Sequence, residues 1–303
     1  METGPVTIEP APHGCLPQWI RQRVPGGERY TYLKNVLREF NLHTVCEEAK
    51  CPNMGECWAH GTATFMLMGD VCTRRCNFCA VDKGKPGYLD ATEPEHVATV
   101  VGAMQLDYCV LTSVTRDDLP DQGADHIART VEAIHARLPA CKLEMLIPDF
   151  RGEPSCVARV VNTPLAVLAH NMETVPRLYK QVRPGAVYDR SLRILEMAKE
   201  FRPDILTKSG LMLGLGETRD ELLQVFRHLR KHRCDILTLG QYLRPTADQL
   251  TVVRYVPPQE FADLKTAALQ LGFRHVVSGP LVRSSYHAWE HVKQHGHLAR
   301  LLC

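Results

Sequence analysis

Two cysteine triplets carry the most specific chemistry in this chain. Cys72, Cys76 and Cys79 follow the spacing Cys-x3-Cys-x2-Cys, while Cys46, Cys51 and Cys57 follow the wider Cys-x4-Cys-x5-Cys. Three thiolates within eight residues can bind three corners of an iron–sulfur cube. No fourth cysteine follows at ferredoxin spacing, so one iron would lack a protein ligand. An open metal position is the mark of a catalytic rather than a closed structural site, as zinc chemistry also shows. The competing arrangement is a three-cysteine zinc site completed by a histidine such as His60. The first triplet is less specific alone, because its gaps lie at or beyond the upper end of the usual zinc-knuckle spacing and three buried cysteines would look the same. Two triplets within 34 residues together suggest two clusters.

Composition narrows the setting. The 303 residues include 12 cysteines, too few for a disulfide scaffold, which needs roughly 8–10%. No export signal is evident at the N-terminus, so a reducing, cytoplasmic setting is expected, where clustered cysteines are more often ligands or catalytic groups than disulfides. The net charge of +2 and the absence of a long basic run imply no nucleic-acid partner. No apolar run approaches the roughly 20 residues of a membrane helix, so no membrane partner is expected. There is no G-x-S-x-G elbow and no phosphate-binding G-x-x-x-x-G-K-[ST]. Gly214-Leu-Gly216-Glu217 lacks the third glycine of a dinucleotide loop.

The elements that must position these cysteines are legible as a rhythm. Apolar runs at Thr64–Gly69, Tyr108–Ser113, Lys142–Ile147, Leu165–His170, Ile205–Leu213, Asp235–Gly240 and Phe273–Ser278 read as strands. Amphipathic stretches at 92–105, 121–138, 189–201, 217–231 and 257–271 alternate with them as helices, and Thr31–Phe40 reads as a short helix. Thr218 and Glu221 have the spacing of a capping box. Such alternation predicts an α/β protein with a parallel sheet. Six or so β/α units fall short of a full eight-unit barrel, leaving a partial barrel or a doubly wound sheet; either gathers its site at the C-terminal strand ends.

The segments CEEAKCPNMGECW (46–58), GTATFMLMGDVCTRRCNFCAV (61–81), LTSVTRDDL (111–119), LIPDF (146–150), HNMETVPRLYKQVRPGAVYDRSLR (170–193), KSGLMLGLGET (208–218), LTLGQYL (237–243) and SGPLVRSSYHA (278–288) resemble the radical S-adenosylmethionine superfamily, and within it the lipoyl synthase family. The resemblance covers most of residues 46–288. It implies a partial (β/α)6-type parallel barrel whose N-terminal and C-terminal extensions cover the open side. The expected divisions are 1–60, carrying the first triplet; 61–280, the core; and 281–303, carrying Arg283-Ser284-Ser285-Tyr286.

By the resemblance, Cys72, Cys76 and Cys79 bind a 4Fe–4S cluster whose open iron chelates S-adenosyl-L-methionine and cleaves it to methionine and a 5′-deoxyadenosyl radical. Cys46, Cys51 and Cys57 bind an auxiliary 4Fe–4S cluster, with Ser285 as its fourth ligand and Ser284 as the alternative. The hard oxygen donor makes that corner the labile one, and the auxiliary cluster is the sulfur donor. The reaction implied is insertion of two sulfur atoms at carbons 6 and 8 of an octanoyl chain on a lysine of a lipoyl carrier protein or domain. Implied partners are that carrier, a ferredoxin- or flavodoxin-type electron donor and iron–sulfur assembly proteins. Thr112, Ser113, Asn171, Lys208 and Gln241 are candidates to contact S-adenosylmethionine or substrate, or else to support loops and helix ends; Arg283 is a candidate to position its serines. The rival readings are another radical sulfur-insertion or thiolation enzyme, and a non-enzymatic iron–sulfur or zinc protein. His287, His291, His295 and His297 read as a solvated tail.

Overall fold

The computed structural model describes residues 16–20, 28–40, 42–48, 51, 53–54 and 64–285. Cys57, His60, Tyr286 and the histidines of the tail lie outside the described residues.

Among the described residues ten strands are formed: β1 (His43–Thr44), β2 (Thr64–Leu67), β3 (Val71–Cys72), β4 (Asp82–Lys83), β5 (Tyr108–Ser113), β6 (Lys142–Leu146), β7 (Val167–Ala169), β8 (Leu206–Leu213), β9 (Ile236–Gln241) and β10 (His275–Gly279). Eight of them make one sheet in the order β1-β2-β5-β6-β7-β8-β9-β10. From β2 onward every pairing in that sheet is parallel, and only β1 runs antiparallel to its neighbour. Helices cross between consecutive strands, at Glu93–Met104, Ala124–Arg137, Pro154–Val161, Tyr188–Phe201, Arg219–Lys231 and Pro258–Gln270. β1 and β10 are the two ends of the strand order and do not pair with each other. The sheet is therefore an open, partial parallel barrel.

The strands are near-continuous buried runs, as sheets covered on both faces require. The apolar stripe Leu222, Val225, Phe226 and Leu229 is fully buried, and Thr218 with Glu221 makes both bonds of the capping box. Where the sequence reading differs, the backbone explains it. The run Thr64–Gly69 ends as a strand at Leu67, because Met68 and Gly69 take φ of 69° and 85°, which no strand accommodates. The helix Pro154–Val161 was not anticipated from the sequence. Pro154 occupies its first turn and Glu153 accepts from the Ser155 N–H, while Cys156, Val157, Val160 and Val161 are buried. Its eight residues are too few for a clear helical period.

One polar cluster lies inside the apolar core. Lys208 of β8 reaches across β7 to Glu144 of β6, with Nζ 2.8 Å from Oε1. The Tyr108 hydroxyl of β5 donates to the other carboxylate oxygen at 2.6 Å. Lys208 is 0% exposed and Glu144 1%. Burial, with the Glu144 charge adding to it, raises the Tyr108 pKa well above its ordinary value and keeps the phenol protonated. Removing one partner of a buried pair leaves an uncompensated charge and typically costs about 3–5 kcal/mol. Lys208→Met is thus expected to lower the urea unfolding midpoint sharply, and adding Glu144→Gln is expected to restore part of it. An unchanged midpoint in the single variant would show that the pair carries no such weight.

Candidate active site

Parallel strands deliver all their C-terminal ends to one side. A cavity of about 350 Å3 opens there, lined from successive strands: Met66 of β2, Cys72 of β3, Thr112 and Ser113 of β5, Leu146 of β6, His170 and Asn171 after β7, Gly210 of β8, Gln241 of β9 and Val282 to Ser284 after β10. Cys76, Phe78 and Cys79 complete one wall.

The Cys72–Cys79 loop is held from several sides. The backbone N–H groups of Arg74 and Thr115 donate to the Cys72 sulfur at 3.4 and 3.3 Å. Thr73 is tied to Thr115 through backbone and hydroxyl. The Arg74 guanidinium binds Asp117 and Asp149 and donates to the Gly185 carbonyl. The Asn77 N–H donates to the Val182 carbonyl, and the Asn77 carbonyl accepts from the Leu250 N–H. Burial pushes up the Cys76 thiol, against the opposing pull of Arg183, and takes Cys79 to about 11. Cations must be supplied before these sulfurs become thiolates, and thiolate formation on metal binding releases their protons.

The donor set fits a cluster with a small-molecule ligand. Among the described residues, no three His, Cys, Asp or Glu side chains make a site for a single metal ion. Cluster-binding thiols bond three different irons and so need not converge on one point. Four lining residues carry buried polar atoms with no hydrogen-bond partner: Ser113 Oγ, His170 Nε2, Asn171 Oδ1 and Arg183 Nε. Buried polar groups are normally paired, so a polar ligand is what this cavity lacks.

The sequence candidates fall into three groups. Thr112, Ser113, Asn171 and Gln241 line the cavity. Lys208 does not: it lies on the same face of β8 as Gly210 but one layer deeper, engaged by Glu144. Cys46, Cys51 and the turn after β10 are brought into one region. Asn53 Nδ2 donates to the Leu281 carbonyl at 2.6 Å, and Arg283 lies within electrostatic reach of Cys51. Arg283 and Ser284 line the cavity, whereas Ser285, the next residue, is half-buried outside its lining.

His170, Glu173 and Arg183 were not singled out from the sequence. All three belong to the stretch from 170 to 193, but nothing in their spacing separates them from loop residues. Glu173 sits at φ 65°, a region an L residue enters at a cost. Its backbone is fixed there by the Gly210 carbonyl and the Met212 N–H of β8, each at 2.9 Å. Burial raises the Glu173 carboxyl pKa, with Arg183 opposing. Arg183 donates to the Asn171 carbonyl at 2.7 Å and to the Tyr179 hydroxyl.

The barrel, the cysteine loop at its mouth and the polar cavity beside it define a class. A family profile described as the radical SAM superfamily matches residues 66–229, and the chain is a radical SAM enzyme. Solved structures agree on the fold. Streptococcus suis SuiB bound to precursor peptide SuiA gives a TM-score of 0.57 at 10% identity, covering 84% of this chain and 55% of that one. The hydrogenase maturase HydG from Carboxydothermus hydrogenoformans gives 0.52 at 14%, covering 77% and 66%. A second profile, the N-terminal domain of lipoyl synthase, matches residues 4–51. Lipoyl synthase from Laribacter hongkongensis is 53% identical over 279 residues, covering 92% of this chain and 89% of the relative. That from Syntrophotalea carbinolica is 56% identical over 273 residues, covering 90% and 88%. The chain belongs to the lipoyl synthase family. Membership implies 4Fe–4S chemistry and S-adenosylmethionine as cofactor.

Burial, reinforced by the Arg183 cation, lowers the His170 pKa from 6.5 to about 4. The folded protein therefore holds this imidazole neutral while the unfolded chain takes up a proton near 6.5. The stability attached to it is complete above pH 6.5 and is lost as pH falls toward 4, by roughly 3 kcal/mol at the lower end. His170→Gln has no proton to gain. Its Tm is expected to fall less steeply than that of the wild type between pH 6.5 and 4; parallel Tm profiles would refute the assignment.

Proposed function

We propose that this chain is a lipoyl synthase acting on an octanoyl chain amide-linked to a lysine of a lipoyl carrier protein or domain, inserting two sulfur atoms at carbons 6 and 8. The observation that carries the reading is the shared cavity. The Cys72–Cys79 wall lies on one part of it and the Arg283–Ser284 turn, next to Cys51, on another.

In this reading Cys72, Cys76 and Cys79 hold one 4Fe–4S cluster and leave one iron open. Cys46, Cys51, Cys57 and Ser285 hold a second. When bound, these groups and S-adenosylmethionine supply the radical and the sulfur that unactivated C–H bonds require. The chain's own residues bind and orient. Thr112, Ser113 and Asn171 offer polar contacts to the cofactor, and Met66, Phe78, Val114, Leu146, Met212 and Leu243 offer an apolar path for an acyl chain. Such placement converts a bimolecular encounter into an effectively unimolecular one. Unactivated C–H bonds give a general base nothing to remove. Electrons would come from a ferredoxin- or flavodoxin-type donor, and iron–sulfur assembly proteins would load the clusters in the cytoplasm.

The test is an anaerobic single-turnover assay with reconstituted protein, S-adenosylmethionine, a strong reductant and an octanoyl-lysine peptide, analysed by mass spectrometry. A peptide that gains two sulfurs, with its hydrogen count unchanged as the dithiol or two hydrogens fewer once air has oxidised it to the disulfide during work-up, and with 5′-deoxyadenosine formed, is the expected result. 5′-Deoxyadenosine beside an unchanged peptide would move the substrate elsewhere. Neither product, from protein carrying both clusters, would favour the electron-transfer or structural reading.

The ligand assignment has its own check. Ser285→Ala is expected to lower the iron retained after reconstitution, and Ser284→Ala to leave it near wild type. The opposite pattern would transfer the role to Ser284.

A further inference from the structure

We propose that the outer face of the Cys72–Cys79 loop is the docking surface for a one-electron carrier protein that presents an acidic patch around its redox centre. The inference deepens the function proposed above, which calls for a ferredoxin- or flavodoxin-type donor without placing it. It rests on that reading for the cluster held by these cysteines.

The loop separates two surfaces. Cys76, Phe78 and Cys79 line the cavity, whereas Arg75 and Asn77, on either side of Cys76, are exposed and lie outside the cavity lining. In the proposed reaction the cavity side is taken up by the cofactor and the acyl chain. The short route for an incoming electron is therefore from the other side, past Arg75 and Asn77. The step balances simply: the carrier's reduced flavin or iron–sulfur centre gives up one electron, the cluster takes it, and no bond forms or breaks.

Three neighbouring segments frame that face. The Asn77 N–H donates to the Val182 carbonyl at 2.9 Å and its side-chain amide to the Gln181 carbonyl at 2.7 Å. On the other flank the Asn77 carbonyl accepts from the Leu250 N–H at 3.1 Å, and Gln249 Nε2 donates to the Cys79 carbonyl at 3.3 Å. Lys83 of β4 is held beside the loop by its pairing with Cys72 of β3.

These segments present mostly positive charge. Arg75, Lys83, Lys180 and Arg244 are all exposed. The Arg244 guanidinium donates only to the Gln249 and Ala247 carbonyls. The side chains of Arg75, Lys83 and Lys180 make no hydrogen bond or ion pair with any described residue. The exposed carboxylates within 75–85, 180–182 and 244–250 are Asp82 and Asp248. Lys85 is left out of the count because it faces Asp118, which Arg116 engages.

General basicity does not explain the grouping. The whole chain carries a net charge of only +2. Arginines elsewhere on the surface are matched with acids: Arg129 with Glu95, Arg159 with Asp125 and Glu132, Arg193 with Glu196 and Glu200. Unmatched cations around one spot steer an oppositely charged partner and fix its orientation. An acylated carrier protein has to deliver its lysine arm to the cavity side of the loop, so this face suits the electron carrier better.

The test uses reconstituted holoprotein and a flavodoxin as the probe. The variant Arg75→Glu/Lys180→Glu is compared with Lys142→Glu/Lys265→Glu. That control changes net charge equally at the far end of β6 and on the helix Pro258–Gln270. Calorimetry at low salt reads the dissociation constant of oxidised flavodoxin. It is expected to weaken on the order of tenfold in the first variant, little in the control, and less in either as salt screens the charges. 5′-Deoxyadenosine formation is expected to stay near the wild-type rate with dithionite and to fall with reduced flavodoxin. Flavodoxin binding and flavodoxin-driven rate no more affected than in the control would overturn the proposal. So would a wild type that binds neither flavodoxin nor ferredoxin. Unchanged flavodoxin binding beside weakened binding of an octanoylated carrier protein would give the face to that carrier instead. Should the reversals also abolish the dithionite reaction, Arg75→Gln/Lys180→Gln is read in their place by the same criteria. If wild-type holoprotein forms no 5′-deoxyadenosine even with dithionite, the function proposed above fails, while the calorimetric arm still decides whether this surface binds the carrier.

Discussion

An open parallel sheet has two edges, and the joining of those edges is the constraint on which this site depends. β1, from the N-terminal segment, covers β2; β10 covers β9. Between them, Asn53 and Leu281, separated by 228 positions, are linked by the 2.6 Å bond from the Asn53 amide. Joining chain so distant is entropically costly, and one hydrogen bond contributes only about 1 kcal/mol. A shared cluster held by ligands from both segments would supply the missing stabilisation. The fold prepares for the approach at Gly240: any side chain there would collide with the Val282 carbonyl, so the turn carrying Arg283 and Ser284 can lie directly on the end of β9.

Below the cavity, polarity is organised in depth. The Lys208–Glu144–Tyr108 cluster is internally satisfied and excluded from solvent. One layer higher, Ser113, His170, Asn171 and Arg183 each leave a buried atom unpaired. The contrast matters because a buried network that is fully satisfied rigidifies a core, whereas an unsatisfied one is destabilising unless a ligand completes it. The same barrel thus builds a closed floor and, above it, an incomplete binding layer.

That depth is what the sequence did not reveal. Strand and helix positions followed from apolar periodicity, and the cysteine spacing pointed directly to the wall of the cavity. Lys208 and Gly210 share a face of β8, so alternation alone cannot say which of them reaches the ligand layer; the stagger of neighbouring strands decides it. His170 was legible only as the end of an apolar run. Its significance comes from the Ile147 carbonyl, 23 positions away, which consumes one ring nitrogen and leaves the other. Arg183 has a comparable origin. It reads as an ordinary loop cation beside Pro184, yet folding turns it inward onto the Asn171 carbonyl and the Tyr179 hydroxyl.

The electrostatics of the cavity suit chemistry that needs no proton transfer from the protein. A site for acid–base catalysis keeps a group poised near the working pH. Here several titratable groups are moved away from it. Burial takes His170 down to about 4 and Cys79 up to about 11, and raises the Glu173 carboxyl toward its neutral form. Burial also opposes the Asp149 charge, but Arg74 and the other groups around it, the Arg151 N–H and Arg190 among them, together outweigh it and hold that carboxyl below its ordinary range. Of the groups lining the cavity, His170 and Glu173 are therefore held toward their uncharged forms, and Arg74 and Asp149 are paired with each other. Apolar residues from several strands fill much of the remaining lining. A carbon radical generated in such a place would have apolar lining around much of it, so its fate would be set by what is placed beside it.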